Sequence, residues 1–203
     1  MKLVLLGDSH TRGYTNSNFV KKSFFLGPGK TNNFTTTCKA LGYLMRYVYI
    51  ASKDELRSCD ISIVIGEPDV RFATYQNYYI LEDPGKLVDP NEVKPKSVDS
   101  TTKKLLEQSI SRIKLFLFIS EKIGLSPFLV IGANSPNYEM KLICQEFNQA
   151  LKHIVKSKNI YFYDPTAEYY FNFKENKNWI GTTYNNPKIT DATHFSKKVG
   201  TSL

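Results

Sequence analysis

Residues 3–10 read Leu-Val-Leu-Leu-Gly-Asp-Ser-His, and this stretch decides the fold prediction. Four apolar residues end in a glycine, and three polar residues follow it directly. A short apolar run without alternating polar residues is typical of a strand that is buried on both faces of a parallel sheet. The polar residues after such a strand lie at the carboxyl edge of the sheet, where α/β proteins place their sites.

Short apolar runs recur along the chain, and helical patterns lie between them. The run at 61–65 ends at Gly66, and the run at 128–131 ends at Gly132. We predict strands at residues 3–6, 23–26, 61–65, 128–131 and 160–163, and helices at 34–47, 100–123 and 139–156. This alternation predicts an α/β protein, a three-layer α/β/α flavodoxin-like sandwich around a central, mostly parallel five-stranded sheet.

The length of 203 residues suits one domain with a single core. A hydrophobic share of 41% excludes the disordered and fibrous classes. Residues 75–98 hold three prolines and no clean period, which indicates a loop insertion. We therefore expect a single domain over residues 1–203 with an insertion at about 75–98.

The formal net charge of +8 raises the question of a nucleic-acid partner. Of the 27 basic residues, 22 are lysines, and no run of them is longer than a pair. Base recognition and bidentate phosphate binding favour arginine. We therefore expect a lysine-rich soluble surface and no nucleic-acid partner.

The three cysteines stand far apart and form no CxxC pair. This spacing argues against a disulfide framework and against a zinc site. The apolar run before Gly7 is too short for a signal-peptide core, and no stretch approaches the length of a membrane span. We expect a cytoplasmic protein with reduced thiols and no membrane partner, and the sequence leaves its oligomeric state open.

Two polar segments near opposite ends of the chain carry the chemistry. Ser9 follows the first strand, at a turn where backbone N–H groups at a helix start can stabilise an oxyanion. Asp191 precedes His194 by three residues in what the composition predicts to be a polar loop. An aspartate at that distance can orient an imidazole, and the imidazole can then take the proton of a serine.

These two segments resemble the first and last blocks of the SGNH/GDSL hydrolase superfamily. The first block is Gly7-Asp8-Ser9, and the last is Asp191-Ala-Thr-His194. The resemblance implies that Ser9 is the nucleophile, that His194 is the general base and that Asp191 orients it. The superfamily's second block supplies an oxyanion glycine, for which Gly27 is the best match here and Gly29 the next.

The third block departs from the superfamily pattern Gly-x-Asn-Asp. This chain has Gly66-Glu-Pro-Asp, so Pro68 stands where a donating Asn is expected. Proline has neither a side-chain donor nor a backbone N–H. The form Gly-Glu-x-Asp-x-Arg resembles a divergent branch, in which Arg71 is a candidate to replace the missing donor or to bind an anionic part of the substrate.

Three acidic residues complete the candidate oxyanion and substrate-binding set, which is Gly27, Arg71, Asp8, Glu67 and Asp69. Glu67 and Asp69 also have a structural alternative. Acids at a strand end often cap the next element or pair with a neighbouring arginine.

Other site classes fit the sequence less well. Asp8-x-His10 resembles the opening of binuclear metallophosphatases, but only His153 and His194 remain as further histidine ligands. A phosphate-binding loop ending at Gly29-Lys-Thr would need a glycine where Phe24 stands. Thr11 replaces the second glycine of the α/β-hydrolase elbow. We expect no metal and no organic cofactor.

The sequence therefore predicts a serine esterase or acyl transferase, an SGNH-type hydrolase acting on ester bonds. Its expected substrate is a small-molecule or glycan ester, with a small acyl group such as acetyl on a carbohydrate, cleaved through a covalent acyl-enzyme. The alternative is a catalytically impaired SGNH-like module that binds a glycan or a protein partner, which the proline at position 68 motivates.

Overall fold

The computed structural model describes residues 2–14, 17–25, 31–52, 56, 58–76, 94–135, 137–167, 180–183 and 186–195. From residue 180 onward, and at a few earlier positions that include Ser9, it describes the backbone only.

Five strands form one wholly parallel sheet in the order β2-β1-β3-β4-β5 within the described residues. They are β1 (Leu3–Gly7), β2 (Val20–Phe25), β3 (Asp60–Val64), β4 (Leu129–Ile131) and β5 (Tyr161–Tyr163). The predicted α/β class and five-stranded parallel sheet are confirmed. Parallel strands in the middle of such a sheet are buried on both faces, which is why apolar runs marked β1 and β4 in the sequence. The edge strand β2, Val-Lys-Lys-Ser-Phe-Phe, is only partly buried.

The carboxyl ends of four strands lie side by side. Gly7 pairs with Val64, Val64 with Ile131, and Ile131 with Tyr163. The side chain of Asn148 (α4, below) fixes part of this edge, because it bonds both the N–H and the C=O of Ala133 at 2.8 Å. Residues that follow these strands are therefore brought together at one edge.

In the described part of the chain, four α-helices accompany the sheet: α1 (Thr37–Ala51), α2 (Glu67–Tyr75), α3 (Ser100–Lys122) and α4 (Lys141–Lys156). Short 3₁₀ helices lie at Ser9–Tyr14, Thr31–Phe34 and Tyr138–Met140. Side-chain caps start two of the α-helices: Thr36 accepts from Lys39 N at α1, and Asp99 accepts from Thr102 N at α3. Such caps satisfy backbone donors that a helix start leaves unpaired.

The core lies on both faces of the sheet, because successive strand residues point to opposite sides. On one face Val4, Leu6 and Ile63 pack against all four of these helices. On the other face Leu3 and Leu5 pack around the ring of Tyr14. Among the described residues, the 3₁₀ helix packs on this second face through Tyr14, and no long helix contributes to this cluster.

Two segments form a different kind of element from the predicted one. Residues 67–75 form a helix, although the sequence analysis placed only a strand end there. Asp191 and His194 lie in β7 (Asn186–Phe195), which pairs antiparallel with β6 (Ile180–Thr183), so the predicted polar loop is wrong. The pairing of Thr182 with Thr190 gives the physical reason, because β-branched residues favour an extended backbone. Of the predicted insertion, residues 77–93 lie outside the described part of the chain.

No helix in the part of the chain that the structure describes has the length and apolar character needed to span a membrane.

Candidate active site

The turn that carries Ser9 is shaped by the aspartate before it. Asp8 Oδ1 accepts a hydrogen bond from the backbone N–H of His10 at 2.8 Å, and Thr11 Oγ1 donates to the Asp8 carbonyl at 2.9 Å. Ser9 begins the 3₁₀ helix directly after β1. The Asp8 carboxylate therefore acts as a cap that holds the Ser9 backbone at the sheet edge.

Burial makes Asp8 an unusual carboxyl group. Its side chain is 1% exposed, and this desolvation raises its pKa to about 6. The nearby carboxylates of Glu67 and Asp69 also raise the pKa, whereas His10 lowers it. Its Oδ2 atom has no hydrogen-bond partner within the described residues. Asp8 is thus a group whose charge changes near neutral pH beside the predicted nucleophile.

The carboxylate of Glu67 contacts the imidazole of His10 and the guanidinium of Arg71. Its Oε2 atom lies 3.1 Å from His10 Nε2 and 2.9 Å from Arg71 Nη2. The contact with His10 is at ion-pair distance and is not an aligned hydrogen bond, whereas Arg71 donates a hydrogen bond. The side chains of His10 and Glu67 are each 1% exposed. The third block of the sequence is therefore joined to the first by a buried contact between Glu67 and His10.

The start of α2 explains why proline stands at position 68. Gly66 has φ 112°, and a Cβ built on it would lie 2.2 Å from Phe147 Cε1. Pro68 lies in the first turn of the helix, where a missing N–H leaves no helical hydrogen bond unmade. The structure therefore gives this proline a helix-starting role, and it supplies no oxyanion donor.

Asp69 uses its carboxylate to hold the fold. It accepts from Thr31 Oγ1 at 2.7 Å, from Thr31 N at 3.1 Å and from Ser109 Oγ at 3.2 Å. Its side chain is buried, and burial raises its pKa although these three hydrogen bonds oppose the shift. For Asp69 the contacts favour the structural alternative over substrate contact.

For Glu67 and Arg71 the contacts also favour pairing. The Arg71 side chain is 20% exposed and is bound to Glu67 one helical turn before it. Its Nε atom has no hydrogen-bond partner among the described residues. Arg71 therefore retains donor capacity beyond its pair, and its direct role at an oxyanion stays a prediction.

The backbone of β7, which contains Asp191 and His194, lies close to the backbone of the Ser9–Tyr14 helix. Cα atoms of β7 come within 8 Å of Cα atoms in the Ser9–Tyr14 helix. Within β7 the pairing partner jumps from Phe195 to Asp191 while β6 advances by one residue, from Ile180 to Gly181. The segment that holds His194 therefore bulges out of the ladder. The side chains of Ser9, Asp191 and His194 lie outside the described residues.

Gly27 also lies outside the described residues. The strand before it ends at Phe25, which pairs with Gly7. The chain therefore leaves β2 at the same edge as Asp8 and Ser9.

Two residues at this edge were not in the predicted site. For His10 the sequence left open a place in the site through its adjacency to Ser9, but favoured a surface or helix-start position. It lies at the start of the Ser9–Tyr14 helix and is buried, 2% exposed, between Asp8 and Glu67. Asn134 follows β4 and donates from Nδ2 to Tyr14 Oη at 2.9 Å, with both side chains buried. Both residues lie three or four positions after the end of a predicted strand. Their place at the carboxyl end of a strand is the sequence feature that could have identified them.

Within the described residues, no three His, Cys, Asp or Glu side chains gather as the ligands of a metal ion would.

We compared the chain with protein families, curated proteins and solved structures. No protein-family model matches the sequence. No curated protein matches it either. Among solved structures, a catalytic mutant of Axe2, an acetylxylan esterase from Geobacillus stearothermophilus, is similar with a TM-score of 0.51 at 14% identity, covering 98% of this chain and 88% of that one.

Phospholipase A1 from Streptomyces albidoflavus NA297 is similar with a TM-score of 0.50 at 14% identity, covering 99% of this chain and 94% of that one. The chain therefore has an SGNH hydrolase-like fold, as its first and last blocks predicted.

Proposed function

We propose that the protein is a serine esterase or acyl transferase of the SGNH type, with Ser9, His194 and Asp191 as its catalytic triad. The observation that carries the proposal is the meeting of two elements. The Ser9 turn, capped by Asp8, lies at the carboxyl edge of the sheet, and β7 with its Asp191–Phe195 bulge packs beside it. This proximity of the two elements supports a shared site for Ser9 and the Asp-x-x-His segment.

In the proposed mechanism, Ser9 Oγ attacks the ester carbonyl while the imidazole of His194 takes its proton. Asp191 accepts a hydrogen bond from that imidazole and stabilises its protonated form. The tetrahedral oxyanion is stabilised by backbone N–H groups of Ser9 and Gly27, with Arg71 as a further donor. The C–O bond of the ester then breaks, and the leaving alcohol receives the proton from His194.

The acyl-enzyme is resolved by a second nucleophile. Water attacks the acyl carbon in hydrolysis, and a sugar hydroxyl does so in transfer; in both cases His194 takes the nucleophile's proton and returns it to Ser9. A small acyl group, acetyl above all, on a carbohydrate is the proposed substrate. The acetylxylan esterase among the similar structures supports this choice.

The alternative function is an impaired module that binds a glycan or a protein partner. One observation favours it: Pro68 starts α2 and leaves the position of the superfamily's donating Asn without any donor. Loss of one oxyanion donor costs roughly 100- to 1000-fold in rate. Measurement of ester hydrolysis therefore distinguishes a slow enzyme from a module that only binds.

The experiment measures hydrolysis of p-nitrophenyl acetate and of a panel of acetylated sugars by the wild-type protein and by Ser9→Ala. The proposal expects release of acetate that depends on Ser9. Binding of a sugar without any Ser9-dependent release would favour the alternative.

A further inference from the structure

The Glu67 carboxylate is placed to act through other residues rather than on a substrate. Its side chain is 1% exposed, so a substrate at the sheet edge does not reach it. One of its oxygens, Oε2, contacts both the guanidinium of Arg71 on α2 and the imidazole of His10 in the Ser9–Tyr14 helix. This single atom therefore joins the element that carries Ser9 to the element that carries Arg71.

We infer that Glu67 is a positioning residue, which fixes the guanidinium of Arg71 relative to the Ser9 turn through its shared contact with His10. The kinetic consequence rests on the proposed esterase function. The structural part, that Glu67 and His10 set where Arg71 lies, holds for any function of the site.

The balance of charge supports the inference. Four-fifths of the Arg71 side chain is buried, and among the described residues Glu67 is the acid that pairs with it. A buried cation without its counter-charge is costly, and a long arginine side chain escapes that cost by moving its head into water. Loss of the Glu67 charge therefore displaces the guanidinium, and no change of the Arg71 residue itself is needed.

The His10 contact ties the same carboxylate oxygen to the Ser9 turn. The backbone N–H of His10 is bonded to Asp8, so the imidazole is anchored within the turn that contains Ser9. Without the imidazole, Glu67 and Arg71 remain paired along α2, but this contact with the Ser9 turn is lost. The two contacts are thus separable by substitution.

A structural experiment tests the inference without any need for activity. The Arg71 Nε–H cross-peak is recorded in ¹H–¹⁵N spectra of the labelled protein and assigned by its loss in Arg71→Lys. Glu67→Gln keeps the shape of the side chain and removes its charge, and we expect the cross-peak to shift. An unmoved cross-peak in a folded Glu67→Gln protein overturns the inference.

The matched control is Glu139→Gln. Glu139 is a partly buried carboxylate that accepts a 2.7 Å hydrogen bond from Tyr75 Oη, and it lies outside α2, in the Tyr138–Met140 3₁₀ helix. The Glu139→Gln substitution should leave the Arg71 cross-peak in place. His10→Gln is the second variant and decides the matter if Glu67→Gln does not fold: we expect it to move the cross-peak, and an unmoved peak removes His10 from the link.

Kinetics then separate positioning from simple structural damage. A displaced catalytic or binding group can cost about 100-fold in rate. We expect Glu67→Gln to lower kcat/KM for acetyl ester hydrolysis by about that factor, and to have almost no further effect when Arg71 is already lysine. Independent, multiplying losses in the double variant would show that Glu67 does not act through Arg71.

The hydrolysis assay and the NMR experiment test the proposed function and the inference separately. If the wild-type protein shows no hydrolysis that depends on Ser9, the proposed function fails, and the Arg71 cross-peak still decides whether Glu67 positions Arg71. If hydrolysis depends on Ser9 but the cross-peak does not respond to Glu67, the proposed function stands and the inference is wrong.

Discussion

Thr31 donates to Asp69 twice, from its hydroxyl at 2.7 Å and from its backbone N–H at 3.1 Å. Thr31 starts the 3₁₀ helix that follows the segment containing Gly27, and Asp69 lies in the first turn of α2. The pair therefore ties the chain that leaves the predicted oxyanion glycine to the helix that carries Arg71. The second and third blocks of the site share one buried carboxylate.

Asp69→Asn should destabilise the protein by about 2 kcal/mol, because an amide keeps one acceptor and turns its N–H₂ group towards a donor that then lacks a partner. Urea unfolding measures this loss. Thr31→Ser is the control, since it keeps both donors and should change the free energy of unfolding little. Equal stability of Asp69→Asn and wild type would mean that the carboxylate does not hold these elements together.

The pH dependence of stability should report on Asp8. Its pKa is about 6 in the folded protein against 3.8 for the ordinary group, so the folded state holds the proton more tightly than the unfolded chain does. The stability that the proton contributes is complete below about pH 3.8 and is lost as the pH rises through 6. A shift of that size corresponds to about 3 kcal/mol.

Asp8→Asn isolates this effect, because asparagine keeps the acceptor for the His10 N–H and cannot lose a proton. We expect the free energy of unfolding of Asp8→Asn, relative to wild type, to rise between about pH 4 and pH 7 by about 3 kcal/mol. Urea unfolding at several pH values measures the difference. A difference that stays constant with pH would contradict the burial of a titrating Asp8.

Gly66→Ala should destabilise the protein by about 3 kcal/mol or more. Its φ of 112° suits glycine, and the new Cβ would meet the ring of Phe147, which is fully buried and has no room to yield. Thermal or urea unfolding checks the loss.

Gly124→Ala is the matched control for this substitution. Gly124 also has a positive φ, 71°, but no atom of another residue lies within 4 Å of the position that its Cβ would take. Only the conformational cost remains, about 1 kcal/mol. Equal losses at the two glycines would show that the contact with Phe147 does not matter.

The strands of the sheet were predictable because their signal is local. Four of the five are short, mainly apolar runs, and β1, β3, β4 and β5 differ from their predicted bounds by no more than one residue at either end. The strand β2 (Val20–Phe25) contains two lysines and begins three residues before its predicted start. The helix α2 was not predictable in this way. Its first turn buries Glu67, Pro68 and Asp69, so the usual pattern of buried apolar and exposed polar residues is missing from it.

For the candidate site, the location of several residues at the strand ends was predictable, and their contacts were not. The rule that sites lie at the carboxyl ends of strands marked Asp8, Ser9 and Glu67. The pairing of His10 with Glu67 joins residues that are far apart in the sequence, and no local pattern encodes it. The same holds for Thr31 with Asp69, where the partners lie on different elements.

The most direct test of the proposed triad is the steady-state hydrolysis of p-nitrophenyl acetate by the wild-type protein, Ser9→Ala and His194→Ala. We predict measurable turnover by the wild-type protein and its loss to the uncatalysed background in both variants, because each removes a member of the triad. Equal residual rates in all three proteins would contradict the triad and the esterase function with it.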